Sequence, residues 1–125
     1  MLSDSTVYAV LAVKDLAAAK EFYEGKLGFK PAGSDDPGGV MYACGNGTKA
    51  FVYQSTFAGT NKATAASWEV SDIKAAVEEL KGKGIAFENY DIPGATHDGE
   101  VHVIGNMKAA WFKDPDGNIL NVINS

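Results

Sequence analysis

Arginine is absent from this 125-residue chain, whose 11 basic side chains all belong to lysine. The chain therefore lacks the planar guanidinium group, which holds phosphates and carboxylates with two parallel hydrogen bonds. Its 16 acidic residues give a formal net charge of -5, and its sequence pI is about 4.9. Because affinity for nucleic acids depends on clustered positive charge, we expect no nucleic-acid partner.

Cysteine and long apolar runs are also scarce. Cys44 is the single cysteine, which excludes an intrachain disulfide and a thiolate zinc cluster. The longest apolar run, residues 7–13, is far shorter than the roughly 20 residues that cross a bilayer. The first residues lack the basic region and apolar core of a signal peptide. We therefore expect a cytoplasmic protein without a membrane partner.

An internal repeat organises the chain. A strand predicted at residues 7–13 leads to a helix that begins after Asp15 and ends near Gly25. The same order returns with a strand at residues 66–70 and a helix that begins after Asp72. Each Asp is a predicted N-cap, and apolar side chains at helical spacing follow both.

The segments after each helix also correspond. Further strands are predicted at residues 40–44, 49–54, 86–88, 101–104, 109–112 and 118–123. Turn-rich or loop segments are predicted at residues 33–39 and 91–99. Asn46-Gly47 between two apolar runs is typical of a hairpin, and the residues from Asp114 to Gly117 favour a type I turn.

These elements predict an α+β fold in a single domain of residues 1–125, built from two β-α-β-β-β modules. The modules span residues 6–56 and 65–124, with residues 57–64 as the connector. A module of this size buries too little surface to be stable alone, so we expect the two to pack together. The expected result is a paired, partly open eight-stranded sheet around a central cavity, and such concave surfaces bind small molecules.

Several motifs resemble a known family. They are residues 11–16, Phe22-Tyr23, residues 27–29, residues 68–73 and residues 112–118. They resemble the vicinal-oxygen-chelate superfamily, which includes glyoxalase I, bleomycin-resistance proteins, fosfomycin-resistance enzymes and extradiol dioxygenases. The resemblance covers nearly the whole chain and implies the fold of that superfamily, on which many activities are found.

The resemblance also implies where metal-dependent members would carry their ligands. Those positions are Tyr8, Ala65, Asn121 and, depending on register, Val52 or Tyr53. None of these residues has an imidazole or a carboxylate, and the neutral carbonyl of Asn121 is a poor ligand for a transition metal. We therefore expect no metal and no other cofactor.

Two groups of polar residues leave open a relocated metal site and a general base. His97, Glu100 and His102 lie within six residues and could form a relocated site for Zn, Ni, Fe or Mn, if Glu100 and His102 share a strand face. Glu69 lies two residues after Ser67 in the strand predicted at residues 66–70, and it could act as a general base. The simpler interpretation of both groups is solvated polar side chains.

Aromatic residues are the remaining signal for a ligand. Tyr8, one of Phe51 or Tyr53, and one of Trp111 or Phe112 are predicted to face a bound molecule, because strand residues alternate between core and open face. The predicted ligand contacts are Tyr8, Phe51, Tyr53, Ser67, Glu69, Lys108, Trp111 and Asn121. Of these, Lys108 would neutralise a charge, and Asn121, Ser67 and Glu69 would orient the ligand.

We therefore predict a metal-independent small-molecule-binding protein that sequesters an apolar or aromatic compound, as bleomycin-resistance relatives do. The alternative is a lyase, isomerase or dioxygenase of the same superfamily, with a relocated metal or metal-free acid–base chemistry. An interaction module is a third possibility, which a predicted cavity makes less attractive. A homodimer is expected, with or without exchange of strands between chains.

Overall fold

The computed structural model describes residues 1–33 and 38–124, and the chain divides into two compact units. Unit 1 comprises Met1–Thr60 and Pro115–Asn118. Unit 2 comprises Asn61–Asp114 and Ile119–Ser125. The division after Thr60 lies within the segment predicted as the connector. Each unit is described below on its own.

Unit 1 is a four-stranded sheet with one helix. Its elements are β1 (Ala9–Val13), α1 (Leu16–Lys20), β2 (Lys30–Pro31), β3 (Gly39–Ala43) and β4 (Lys49–Gln54). The strand order is β1-β4-β3-β2, with β1 and β4 parallel and the other pairs antiparallel. Short 3-10 turns occupy Leu2–Asp4 and Gly45–Gly47, and Asn46 adopts a left-handed conformation in the second, as a tight hairpin turn requires.

The helix of unit 1 begins where its sequence predicts. The Asp15 carboxylate accepts hydrogen bonds from the amides of Ala17 and Ala18, which are unpaired donors in the first turn. After Lys20 the helix continues with π geometry over Glu21–Lys26. This turn carries Phe22 and Tyr23, both buried, into the core of the unit. The core is completed from the sheet by Leu11, Val13, Val40, Tyr42 and Val52.

Unit 2 is a six-stranded sheet with a longer helix. Its elements are β5 (Thr64–Glu69), α2 (Ile73–Gly82), β6 (Phe87–Glu88), β7 (Thr96–Asp98), β8 (Val101–Ile104), β9 (Met107–Lys113) and β10 (Ile119–Asn124). The strand order is β5-β10-β9-β8-β7, and β6 also pairs with β9. As in unit 1, the first and last strands are parallel neighbours. Asp72 caps α2 by accepting from the Ala75 amide.

One face of this sheet packs against α2. Phe112, Leu120 and Val122 are buried on β9 and β10, the two strands that contact the helix, and Ile73 and Val77 are buried on α2. Successive side chains of a strand point to opposite faces, so the residues between these positions lie on the face turned away from α2.

The predicted α+β fold class is confirmed, with two strands more than the eight expected. The described residues form ten strands in a four-stranded and a six-stranded sheet. Strand β7 lies within the segment predicted as a loop, because its residues are polar and exposed and show no alternation. Strand β1 begins at Ala9 rather than at residue 7. Within the predicted turn segment 33–39, residues 34–37 lie outside the described residues.

Among the helices of the described residues, none has the length and apolar character needed to cross a membrane.

Candidate functional site

The candidate site lies on the face of the unit 2 sheet that is turned away from α2. Trp111 on β9 and Asn121 on β10 are direct cross-strand partners on that face. His102 on β8 pairs with Ala109, two positions before Trp111, and His97 on β7 pairs with His102. Strand pairing therefore aligns four side chains from four neighbouring strands. We call this surface, formed by His97, His102, Trp111, Asn121 and Thr64, the Trp111 face.

Aromatic rings run across the Trp111 face in edge-to-face contact. The ring centroids of His97 and His102 are 4.5 Å apart, and those of His102 and Trp111 are 4.9 Å apart. The Tyr90 ring also meets Trp111 edge to face, with centroids 5.5 Å apart. Such contacts contribute about 0.5–1.5 kcal/mol each beyond the burial of area. The rings of His97, His102 and Trp111 thus form a continuous aromatic row.

Both histidines hold the backbone of Tyr90. The Tyr90 amide donates to Nε2 of His102 at 3.0 Å, and Nε2 of His97 lies 3.1 Å from the Tyr90 carbonyl oxygen. Because an amide can only donate, Nε2 of neutral His102 carries no hydrogen, and its proton lies on Nδ1. Because a carbonyl can only accept, His97 donates from Nε2.

Buried polar atoms of this region have no partner among the described residues. They are Nδ1 of His102, Oδ1 of Asn121 and the hydroxyl oxygen of Tyr90. The His102 side chain is fully buried, and Asn121 is 5% exposed. An unpaired buried donor or acceptor costs about 1–3 kcal/mol, so native proteins normally satisfy such atoms with protein, water or ligand. These atoms mark where unit 2 is able to pair with a bound molecule.

The indole of Trp111 reaches across the sheet. Its Nε1 donates to Oγ1 of Thr64 at 3.0 Å, and Thr64 lies on β5, beyond β10. Thr64 pairs with Ile119, and a register shift follows before Asn121 pairs with Ser67. The indole therefore crosses β10 on the face that carries Asn121.

The predicted ligand contacts of unit 2 are only partly brought together. Trp111 and Asn121 are adjacent, whereas Phe112, the other candidate beside Trp111, is buried in the α2-side core. Ser67 is exposed beside Asn121. Glu69 is also exposed, two positions further along β5, near the end of the strand.

The structure does not bring Lys108 to this face. Lys108 is three positions from Trp111 on β9, and strand alternation places it on the α2 side. It pairs with Val103 and Asn124 there and is exposed. The predicted role of Lys108 beside the aromatic contacts therefore needs correction, because the two lie on opposite faces of one strand.

The predicted contacts of unit 1 lie on β4 and beside β1. Phe51 and Tyr53 stack on β4, with ring centroids 6.0 Å apart and planes 5° from parallel. They alternate with buried Val52 and so face away from the core. Tyr8 lies one residue before β1, and its side chain is 45% exposed.

The alternative metal ligands are not assembled. Strand β8 begins at Val101, so Glu100 precedes it instead of sharing a strand face with His102. The Glu100 carboxylate pairs with the Lys81 ammonium at 2.8 Å, and this hydrogen bond holds the pKa of Glu100 below its usual range. Across residues 1–33 and 38–124, no three His, Cys, Asp or Glu side chains come together as a potential metal site.

Two residues of the site were missed by the sequence analysis. Thr64 was placed in the connector, although its position next to a predicted strand was a usable signal. Tyr90 follows the short strand β6 in a segment without periodicity, and its role depends on contacts with His102 and Trp111. No local pattern predicts those contacts.

Unit 1 also has an open depression of about 440 Å³, lined by Lys14, Gly38, Gln54, Ser55 and Thr56. None of the predicted contacts lines it, and it has no aromatic side chain. The Trp111 face is therefore the stronger candidate for recognition of an apolar compound.

Comparison with known proteins identifies the family. The model of the Glyoxalase/Bleomycin resistance protein/Dioxygenase superfamily matches residues 5–122. Among curated proteins, none matches the chain.

Solved structures share the fold at low sequence identity. A glyoxalase family protein from Enterococcus faecalis is 20% identical, with a TM-score of 0.73 over 98% of this chain and 99% of that one. The antibiotic binding protein TnmS3 from Streptomyces sp. CB03234 is 21% identical, with a TM-score of 0.66 over 97% of each chain. The fosfomycin resistance protein FosX from Listeria monocytogenes is 13% identical, with a TM-score of 0.70 over 98% of this chain and 93% of that one.

Proposed function

The chain belongs to the glyoxalase/bleomycin resistance protein/dioxygenase superfamily, and from that premise we propose that it binds a neutral aromatic small molecule without a metal ion. One observation carries the proposal. The Trp111 face combines a row of aromatic rings with the buried, unpaired amide oxygen of Asn121. Rings supply stacking area, and a single polar atom supplies orientation, which is the usual chemistry of a small-molecule site.

The charge of the surroundings supports a neutral ligand. The lysine on the same side of β9 as Trp111 is Lys113, which pairs with the Glu88 carboxylate at 3.3 Å, and the chain has no arginine to clamp an anion. Lys108 lies on the other face of β9. A strongly anionic ligand would therefore lose its hydration on this face and meet a lysine that already has a carboxylate partner.

Donor chemistry supports binding without a metal. Asn121 lies where the family resemblance puts a metal ligand, and it offers a neutral amide oxygen. Glu100, the one carboxylate of the alternative metal set, is engaged by Lys81. One structural relative, TnmS3, is an antibiotic binding protein. We propose the same class of role here, with the compound itself unidentified.

Calorimetric titration tests this proposal. We expect 2-naphthol, a neutral two-ring compound, to bind the wild-type protein saturably with one site per chain. Trp111→Ala should weaken the binding by at least about 30-fold, while Trp68→Phe, on the α2 side of β5, should preserve it. Absence of saturable binding by 2-naphthol and by a library of other neutral aromatics would contradict sequestration.

Metal analysis separates this function from the enzymatic alternative. Protein purified without chelators should contain less than stoichiometric Zn, Ni, Fe or Mn. A stoichiometric ion that disappears in His102→Ala would contradict the metal-independent proposal and favour an enzyme.

A cytoplasmic location and a homodimeric state belong to the same proposal. Light scattering should give about twice the 13.2 kDa mass of the chain. A monomeric mass would remove the dimer from the proposal and leave the ligand site unaffected.

A further inference from the structure

The Trp111 indole crosses the strand that carries a buried polar atom without a partner among the described residues. The indole crosses β10 to reach Thr64, and Asn121 lies on the crossed strand and the same face. Asn121 is 5% exposed, and its Oδ1 has no hydrogen-bond partner among the described residues. An amide oxygen in this position has lost its hydration without gaining a donor.

The indole has one hydrogen bond across β10 and two ring contacts. The hydrogen bond is a neutral one to the hydroxyl of Thr64, a residue that is itself exposed, and the rings of His102 and Tyr90 meet the indole edge to face. A neutral, solvent-accessible hydrogen bond is readily exchanged for water, and a side-chain rotation needs no change in the backbone. The closed arrangement thus combines an exchangeable hydrogen bond of the indole with an unpaired acceptor on the same sheet face.

We infer that the Trp111 indole is a movable cover, held closed by Thr64, and that the ligand enters beneath it and donates a hydrogen bond to Oδ1 of Asn121. This inference rests on the proposed function and specifies its ligand class. The ligand is a flat, neutral aromatic compound with an O–H or N–H donor on its edge, such as a phenol or a lactam. Its ring stacks on the displaced indole, and its donor satisfies the buried amide oxygen.

The cover predicts how two substitutions change the free energy of ligand binding. The closed cover competes with the ligand, so a change that weakens only the tie to Thr64 should strengthen binding. A change that removes the Asn121 amide should lower the affinity only for ligands that carry a hydrogen-bond donor. A purely structural Asn121 would behave otherwise, because its loss would lower stability as well.

The experiment uses matched probes and variants. The Trp68→Phe protein has Trp111 as its only tryptophan, since the chain contains two. In this background, Thr64→Val removes the tie, and Thr48→Val is its control, because it removes a comparable exposed hydroxyl hydrogen bond in unit 1. Dissociation constants are measured by calorimetry for 2-naphthol and for 2-methoxynaphthalene, which has no donor.

We expect Thr64→Val to bind 2-naphthol about 3- to 10-fold more tightly and to expose Trp111 to acrylamide quenching, while Thr48→Val changes neither. Asn121→Leu should raise the dissociation constant of 2-naphthol about 10-fold and leave that of 2-methoxynaphthalene unchanged. Its urea midpoint should equal or exceed that of the parent, because the substitution removes an unpaired buried atom. Asn118→Leu, which removes the donor to the Ala12 carbonyl at 2.7 Å, should lower that midpoint.

The possible failures are distinguishable. Saturable binding of both naphthalenes with the same constants in the parent, Thr64→Val and Asn121→Leu proteins would overturn the cover and leave the proposed function standing. Equal weakening of both probes by Asn121→Leu would also overturn it. Absence of binding by either probe or by other neutral aromatics would overturn the proposed function and the cover together.

Discussion

In each unit one face of the sheet is turned away from the core, and the side chains on these two faces differ in chemistry. In unit 1, the face turned from the core carries Phe51 and Tyr53, a stacked pair on one strand. In unit 2, the corresponding face carries two histidines, a tryptophan and an asparagine on four strands. All three unpaired buried polar atoms found in the described residues belong to unit 2. The unpaired buried atoms on which the proposed ligand site depends therefore lie in unit 2.

The difference arises from an insertion in one repeat. In unit 1, residues 32–38 join β2 to β3, whereas in unit 2 residues 89–106 join β6 to β9. The longer connection forms the β7–β8 hairpin, which supplies both histidines of the chain, and contains Tyr90, which they hold. A repeated scaffold thus acquires a distinct site by lengthening one loop, without a change in the pairing of its first and last strands.

The first test of this comparison removes one aromatic side chain from the sheet of each unit and compares the effects on ligand binding. We expect Trp111→Ala to weaken 2-naphthol binding by at least about 30-fold, since it removes an aromatic contact of about 2 kcal/mol or more. Phe51→Ala, on the open face of unit 1, should change the dissociation constant by less than about 2-fold. Calorimetry of both variants measures this. An equal loss in the two variants would show that unit 1 shares the ligand.

A second test concerns the inserted hairpin. His102→Leu leaves the buried Tyr90 amide without an acceptor, which should lower the free energy of unfolding by about 1–3 kcal/mol. His102→Gln keeps an acceptor and should recover part of this loss. In unit 1, Tyr42→Phe removes the hydroxyl that donates to Glu24 at 2.8 Å and should cost about 0.5–1.5 kcal/mol. Urea denaturation gives the three values, and a neutral His102→Leu would show that the histidine does not hold the Tyr90 segment.

The smallest expected effect is the acid sensitivity of unit 2. Lys74 pairs with Asp98 and Lys81 pairs with Glu100, both at 2.8 Å, which ties α2 to the hairpin. Hydrogen bonds from the lysines, aided by their charge, lower the pKa of Asp98 and of Glu100. A lowered carboxyl pKa contributes stability above the ordinary value near 4, and this stability is lost as the pH falls through the lowered pKa.

The double variant Asp98→Asn with Glu100→Gln tests this contribution. Its urea midpoint should fall less steeply than that of the wild type as the pH is lowered from about 5 to about 3. The pairs are exposed, so the difference should be small and should shrink further in high salt. Identical pH profiles would show that these ion pairs add nothing to the attachment of the hairpin.

The sequence predicted those parts of the fold that depend on local pattern. Both helix starts follow from the Asp caps, and alternation along β9 and β10 offered Trp111 and Asn121 as neighbours on an open face. It left the choice between Trp111 and Phe112 open, because a strand pattern shows two faces without showing which one a helix will cover. Strand β7 escaped prediction, since its polar residues show no alternation and its contacts with β8 and with Lys74 of α2 arise only in the folded chain.

By itself, the sequence determined the repeated plan, the absence of arginine and the family to which the chain belongs. Tertiary structure alone decided that Lys108 faces away from Trp111, that Glu100 pairs with Lys81, and that Tyr90 is held by two histidines. The physical reason is the range of the interactions. Caps and alternation act within a few residues, whereas the register between strands and the hydrogen bonds across them depend on segments far apart in the chain.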